Sequence, residues 1–128
     1  MKQVTIKVGG RELALVFTLR AIANLEAELG ENVVLTNEQL DELLCRPGKL
    51  TKLLAVMANE GELAAGRKPD ITADWLGGKL RPGNLPTLQA QALDAITQGM
   101  RMETEEDDED ELVDVVLEEI KKKDEKAG

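Results

Sequence analysis

Hydrophobic and polar residues alternate along the first part of the chain, which predicts β-structure. In QVTIKV (3–8) one side of an extended strand would carry the hydrophobic residues Val4, Ile6 and Val8. The alternation resumes over 11–17, and Gly9-Gly10 between the two runs suits a primed two-residue turn. These residues therefore predict an N-terminal β-hairpin. The GxGxxG spacing of a phosphate-binding loop is absent here, which favours a turn.

The spacing changes to that of a helix after the second strand. Thr18 suits an N-cap and Gly30 a left-handed C-cap, and between them hydrophobic residues recur at helical spacing: Leu19, Ile22, Leu25 and Leu29. The polar side of this helix carries no nucleophile or metal-site pattern. We expect a small core to form on it.

Further helices follow the same spacing. Thr36 and Gln39 form a capping-box arrangement before a short helix, about Asn37 to Cys45, that Pro47-Gly48 breaks. Its inward residues are Leu40, Leu43 and Leu44. A second strong helix is predicted over 49–60, ending near Gly61, from the i, i+3, i+4, i+7 positions Leu50, Leu53, Leu54 and Met57.

The rest of the predicted body is a loop and two helices. The loop runs from Gly61 to Asp70, and Asp70 or Thr72 caps a short helix with Trp75, Leu76 and Leu80. We interpret Trp75 as an anchor in the core, with an exposed binding role as the alternative. After a turn at 81–84, a third strong helix is predicted from Pro86 to about Met102. Its apolar face holds Leu88, Ala92, Ile96 and Met100, widened by Leu85 and Leu93.

The composition changes abruptly at Glu103. Eight of the nine residues from Glu103 to Glu111 are acidic, which predicts an extended acidic linker. The following stretch, 112–128, is predicted to form an amphipathic C-terminal helix with one apolar stripe: Leu112, Val113, Val116, Leu117 and Ile120. The predicted fold class is α+β: a globular, mainly helical domain over 1–102 with the N-terminal hairpin, then the linker and the helix.

The net charge belongs to the C-terminal segment. Residues 1–102 contain 12 Lys+Arg and 12 Asp+Glu, so the formal charge of -9 is that of residues 103–128, with 4 Lys and 13 Asp+Glu. Nucleic acid is not expected as a partner, because backbone binding needs an excess of basic surface. Few aromatic side chains are available to stack on nucleic-acid bases, since Phe17 and Trp75 are the two aromatic residues of the chain.

The residue types argue against enzymatic chemistry and against a bound cofactor or metal. The chain has no histidine and no tyrosine, which removes the commonest general base and metal ligand. Cys45 is the single cysteine and cannot form an intrachain disulfide; we interpret it as a half-buried hydrophobic residue in a reducing compartment. The acidic run lacks the glycine and spacing of an EF-hand loop.

We expect a cytoplasmic protein without a membrane segment. No apolar run approaches the length of a membrane helix, and the first ten residues lack the apolar core of a signal peptide.

The C-terminal segment is the candidate binding site. Acidic residues such as Glu105 and Asp108 would speed encounter with a basic surface, and the apolar stripe would supply the contact. Two alternatives stay open. The helix could dock on its own domain or on a sister subunit, or the segment could serve solubility alone.

The order of features resembles a known family, the tail assembly chaperones of long-tailed bacteriophages and related prophage elements. The resemblance covers about residues 3–102 and rests on the starting strand, the glycine turn, and the passage LALVFTLRAIANLEAELG, followed by helices comparable to 50–60 and 87–102. Within that passage the matching positions are Phe17, Thr18, Arg20, Leu25, Glu26 and Gly30.

The resemblance implies a small, non-enzymatic, self-associating protein that coats the tape measure protein before tail polymerisation and is absent from the finished particle. Many members are also made as a longer product by ribosomal frameshifting, and Lys121 to Lys123 could be encoded by a slippery run. Two other functions stay open: a structural connector or completion protein of a phage-like particle, and an acidic inhibitor of a basic protein.

Overall fold

The computed structural model describes residues 3–101. Within them a two-stranded antiparallel hairpin is followed by five α-helices, so the α+β, mainly helical class predicted from the sequence is confirmed. The elements are β1 (Val4–Val8), β2 (Arg11–Leu15), α1 (Leu19–Leu29), α2 (Asn37–Cys45), α3 (Pro47–Ala64), α4 (Ala73–Lys79) and α5 (Leu85–Met100).

The hairpin turns at the glycine pair. Gly9 and Gly10 have φ values of 55° and 84°, the positive values that a primed turn needs and that glycine adopts without a Cβ clash. Val8 and Arg11 pair directly across the turn. The inward side of β1 is buried as the alternation predicts, and β2 ends at Leu15, two residues before the predicted strand end.

Helix α1 has the predicted caps. The Thr18 hydroxyl accepts a hydrogen bond from the Ala21 N–H at 3.1 Å, and Gly30 has a φ of 72°. Leu19, however, is 83% exposed, so its predicted place in the core is wrong. The reason is helical drift: at about 100° per residue, two successive three-residue steps place Leu19 about 120° around the helix from buried Leu25.

The core is built on α3, and the expectation that it forms on α1 is wrong. Strand β2 and the other four α-helices all pack against α3. Ten of its residues are buried against two in α1, and every residue from Leu53 to Ala58 is buried. A helix that is hydrophobic nearly all round belongs at the centre of a fold, and α3 takes that position.

The ends of α3 differ from the predicted ones. As predicted, the helix α2 ends before Pro47-Gly48; Pro47 itself is the first residue of α3, where its missing N–H costs no helical hydrogen bond. Arg46 before it is extended, as residues preceding proline prefer, and separates α2 from α3. At the other end the helix continues through Gly61 to Ala64, so the predicted loop starts later.

Helix α5 runs from Leu85 to Met100, one residue earlier at its start than predicted, after a 3₁₀ turn at Pro82–Asn84. Leu93 and Met100 are 43% and 58% exposed, so the prediction that they belong to the buried face of this helix is wrong. That face centres on Leu88, Ala92 and Ile96, and Leu93 lies about 100° away from Ala92 around the helix.

The structure shows the environments of two residues that the sequence analysis interpreted individually, Cys45 and Trp75. Cys45 is exposed at the end of α2, so its interpretation as a half-buried hydrophobic residue is wrong; its thiol lies 3.7 Å from the Asp41 carboxylate. Trp75 is half-buried and packs against the core, as expected of an anchor, and the Arg11 guanidinium lies 5.6 Å from its ring centre.

No helix among residues 3–101 is long and apolar enough to cross a membrane.

Candidate functional site

The binding residues predicted from the sequence are outside the part of the chain that the structure describes. This applies to the linker 103–111, to the helix 112–128 and to the individual candidates Glu105, Asp108, Leu112, Val113, Val116, Leu117 and Ile120. The described body contributes two other features, a pair of buried carboxylates in α3 and an apolar groove.

Glu60 is the first buried carboxylate, with an exposed fraction of 3%. Its Oε1 accepts a hydrogen bond from the Thr18 hydroxyl at 2.9 Å, and its Oε2 accepts one from Arg20 Nε at 2.7 Å. The hydrogen bond to Glu60 raises the pKa of the Arg20 guanidinium, and the attraction between the charges adds to it. Glu60 therefore fastens the beginning of α1 to the far half of α3.

Glu62 is the second, with an exposed fraction of 1%. Arg67 binds both of its oxygens, with Nε and Nη2 each at 3.1 Å, and Arg11 Nη2 adds a contact at 3.3 Å. The hydrogen bond from Arg67 lowers the pKa of Glu62 and outweighs burial, which acts in the opposite direction. The carboxylate is therefore ionised at neutral pH, and it joins α3 to β2 and to the segment after α3.

These carboxylates have the geometry of structural ion pairs. A general acid or base has to reach a substrate and works best with a pKa near the operating pH. Glu62 is enclosed, held by two arginines and shifted to lower pKa. We therefore assign Glu60 and Glu62 a structural role, in which each holds separate elements of the fold together.

Sequence reasoning missed both residues. The sequence places Glu60 at the end of a predicted helix and Glu62 in a predicted loop, where carboxylates are ordinarily solvated. A local signal exists for Glu62, because Arg67 follows five residues later. For Glu60 none exists, since its partners Thr18 and Arg20 are 40 or more residues away in the chain.

The second feature is an apolar groove between the first half of α3, the end of α4 and the start of α5. Its volume is about 390 Å³. Buried leucines form its floor and half-buried leucines its walls: Leu50, Leu54 and Leu88 below, Leu80 and Leu85 at the sides. We call this the α3–α5 groove.

The mouth of the α3–α5 groove is electropositive. Arg81 is the one charged residue in its lining, and within residues 3–101 no carboxylate lies within 4.0 Å of the Arg81 guanidinium. Pro47 and Gly48, the first turn of α3, also line it, and the N-cap residue Arg46 makes no side-chain capping bond there. The partial positive charge of a helix N-terminus therefore adds to that of Arg81.

Metal ligands do not converge in the described body: among residues 3–101, no three Cys, Asp or Glu side chains are grouped closely enough to hold an ion. Comparison of the chain with models of known protein families, with curated protein sequences and with solved structures finds no match. The resemblance to tail assembly chaperones therefore stays a prediction from residues 3–102.

Proposed function

We propose that this chain is a non-enzymatic assembly chaperone of the bacterial cytoplasm that binds a long, helical, aggregation-prone client, the tape measure protein of a phage tail. The observation that carries the proposal is the division of the chain into two unlike parts. A body with 22 buried hydrophobic residues among those described is followed by a strongly acidic segment with an apolar stripe.

The body builds its own core, which supports a binding role for the stripe. Strand β2 and the other four α-helices pack against α3, and the buried ionisable residues Glu60 and Glu62 have their partners inside the fold. The five stripe residues Leu112, Val113, Val116, Leu117 and Ile120 are thus available for a contact with another helix.

The magnitudes favour many weak contacts over one strong contact. Burying five aliphatic side chains contributes about 1.5–3 kcal/mol each, roughly 10 kcal/mol in all. Association costs roughly 4–15 kcal/mol in lost freedom of motion, so one copy binds weakly at best. A long client covered by many self-associating copies gains avidity from the repeated contacts.

The negative charge of the acidic linker would promote the encounter with the client. The eight acidic residues between Glu103 and Glu111 would attract basic patches on the client and would keep a client covered with many copies soluble by mutual repulsion. Acidic residues improve solubility more than basic ones do.

The test is co-expression with the tape measure protein encoded in the same genome. Wild-type chain should yield a soluble complex with many copies per client, and Val116→Asp should leave the client insoluble. Val115→Asp is the matched control, because residue 115 lies about 130° from the centre of the predicted stripe at 100° per residue. If Val116→Asp keeps the client soluble as well as Val115→Asp does, the stripe is not the binding surface.

The same preparation separates the chaperone from a structural connector or completion protein. A chaperone should be absent from purified particles, whereas a connector should be present in them at fixed stoichiometry. An acidic inhibitor would form a complex that dissociates at moderate salt concentration, since salt would screen the attraction between its charges and those of the basic partner.

A further inference from the structure

We propose that the α3–α5 groove is the docking site of the chain's own segment 112–120. In this arrangement the apolar stripe lies in the groove of the same molecule until a client helix replaces it. The proposal concerns the resting state of the protein and does not depend on the identity of the client.

The groove fits aliphatic side chains. A cavity of about 150 Å³ lined by aliphatic and aromatic side chains already accepts a benzene molecule, and the groove has about 390 Å³. It can therefore take two or more of the Val, Leu and Ile side chains of the stripe. Leu80 and Leu85 at its sides are half-buried, so an occupant would remove further apolar surface from water.

Charge favours this segment as the occupant. Residues 112–120 contain Asp114, Glu118 and Glu119 and no basic residue, and the eight acids of the linker precede them. The mouth of the groove offers Arg81 and the N-terminus of α3, and no carboxylate lines it. An acidic amphipathic helix thus meets apolar surface in the groove and positive potential at its mouth.

The chain is long enough to return to the groove. Helix α5 begins in the groove with Leu85 and Leu88 and ends at Met100. At about 1.5 Å per residue the distance from Met100 back to these leucines is about 18–23 Å. The eleven residue steps from Arg101 to Leu112 span at most about 36–40 Å when extended, so the segment reaches the groove with slack.

The attachment strengthens a weak contact. A short linker gives the segment an effective concentration on the order of 1 mM. An intrinsic affinity of about 0.1 mM would then keep the groove occupied about ten to one. A client must therefore compete with the groove, which protects the stripe from unspecific association.

The test is amide hydrogen exchange in the full chain at low concentration. We expect exchange in residues 113–120 to be slowed about tenfold relative to the unstructured rate, the ratio given by the occupancy above. Gly77→Leu should abolish the slowing, because Gly77 lines the groove and has room for a side chain, with Thr51 Cγ2 at 4.0 Å from an added Cβ.

Gly78→Leu is the matched control. It changes the neighbouring exposed glycine of α4, whose added Cβ meets nothing within 4 Å and which does not line the groove. Slowing that survives in Gly78→Leu and is lost in Gly77→Leu supports the proposal. Arg81→Glu gives an independent variant, and it should speed exchange in 113–120 while exchange at the core residue Leu76 stays as in the wild type.

Three results would overturn the proposal. The first is exchange at the unstructured rate over 113–120 in the wild type. The second is equal behaviour of the two glycine variants, or an unchanged rate in Arg81→Glu. The third is slowing that grows with protein concentration, because this would place the segment on a second copy of the chain.

Discussion

The carbonyl oxygen of Ala14 in β2 occupies the space that a Cβ atom on Gly61 of α3 would need. Two residues after Ala14 in the chain, and one helical turn before Gly61, the backbones are hydrogen bonded: the Val16 N–H donates to the Met57 carbonyl at 3.1 Å. The open edge of the hairpin thus lies directly on the backbone of the central helix. This contact requires the glycine, although glycine is ordinarily unfavourable inside a helix.

Gly61→Ala should destabilise the protein by about 2 kcal/mol or more, since the added methyl forces β2 away from α3 in a packed core. The measurement is the midpoint of urea unfolding. In Gly78→Ala, where the added Cβ has open space, we expect the opposite sign, a gain of about 0.5–1 kcal/mol from helix propensity. A Gly61→Ala protein as stable as the wild type would show that the hairpin does not need this close approach.

Three threonines cap helices, and one of them has a second partner. Thr18, Thr36 and Thr72 each accept a backbone N–H, but Thr18 also donates to the buried Glu60 carboxylate. Thr36→Ala should therefore cost about 1 kcal/mol, the usual loss for an N-cap. Thr18→Ala should cost about 2–3 kcal/mol, because a hydrogen bond to a charged group is lost as well. Thr18→Ser should restore nearly all of it in thermal unfolding, and equal losses in both alanine variants would contradict the role of Glu60.

Glu62 makes the stability of the fold dependent on pH on the acid side. Its pKa is lowered in the folded state, chiefly by the hydrogen bond from Arg67, relative to an ordinary value of 4.5. A lowered pKa means that the stabilisation is fully present above the unfolded pKa and is lost as pH falls through the folded pKa. Between pH 6 and 8 the contribution is constant.

Glu62→Gln isolates this contribution. At pH 7 the variant should be less stable by about 1–2 kcal/mol, because a neutral amide replaces the carboxylate partner of two arginines that are themselves about half exposed to water. The difference from the wild type should begin to shrink below about pH 4.5, where the Glu62 carboxylate of the unfolded chain takes up its proton, and should be lost as pH falls through the lower pKa of the folded protein. Urea unfolding at a series of pH values measures the difference, and a gap that stays constant down to pH 3 would be inconsistent with an ionised Glu62.

The elements that the sequence predicts correctly are those that local rules determine. The hairpin follows from strict alternation around Gly9-Gly10, and α1 follows from a cap at each end. The central position of α3 does not follow, because ten buried residues in one helix depend on neighbours from five other elements. Leu19, Leu93 and Met100 were misplaced because hydrophobic spacing alone ignores the drift of each step around the helix.

The candidate sites also differ in whether local sequence or tertiary packing determines them. The apolar stripe of 112–120 is visible in the sequence because its residues are neighbours on one predicted helix. The α3–α5 groove is not, since Leu50, Leu80 and Leu88 meet only through tertiary packing, and each has the appearance of an ordinary core residue in the sequence. The ion pairs of Glu60 and Glu62 are hidden for the same reason, because partners in β2 and at the start of α1 are remote in the chain.

Asn59 fixes the segment between α3 and α4 through both of its side-chain groups. Its Nδ2 donates to the Ile71 carbonyl at 2.9 Å, and its Oδ1 accepts the Ile71 N–H at 2.8 Å, so the side chain satisfies both backbone groups of a buried residue. Asn59→Ala leaves both groups without this partner and should cost about 2 kcal/mol or more. Gln89→Ala, which removes a single bond to the Leu44 carbonyl, is the matched comparison and should cost about 1 kcal/mol. Amide exchange at Ile71 should speed up in Asn59→Ala and stay unchanged in Gln89→Ala; protection of Ile71 that survives without the amide would mean that packing alone holds the segment.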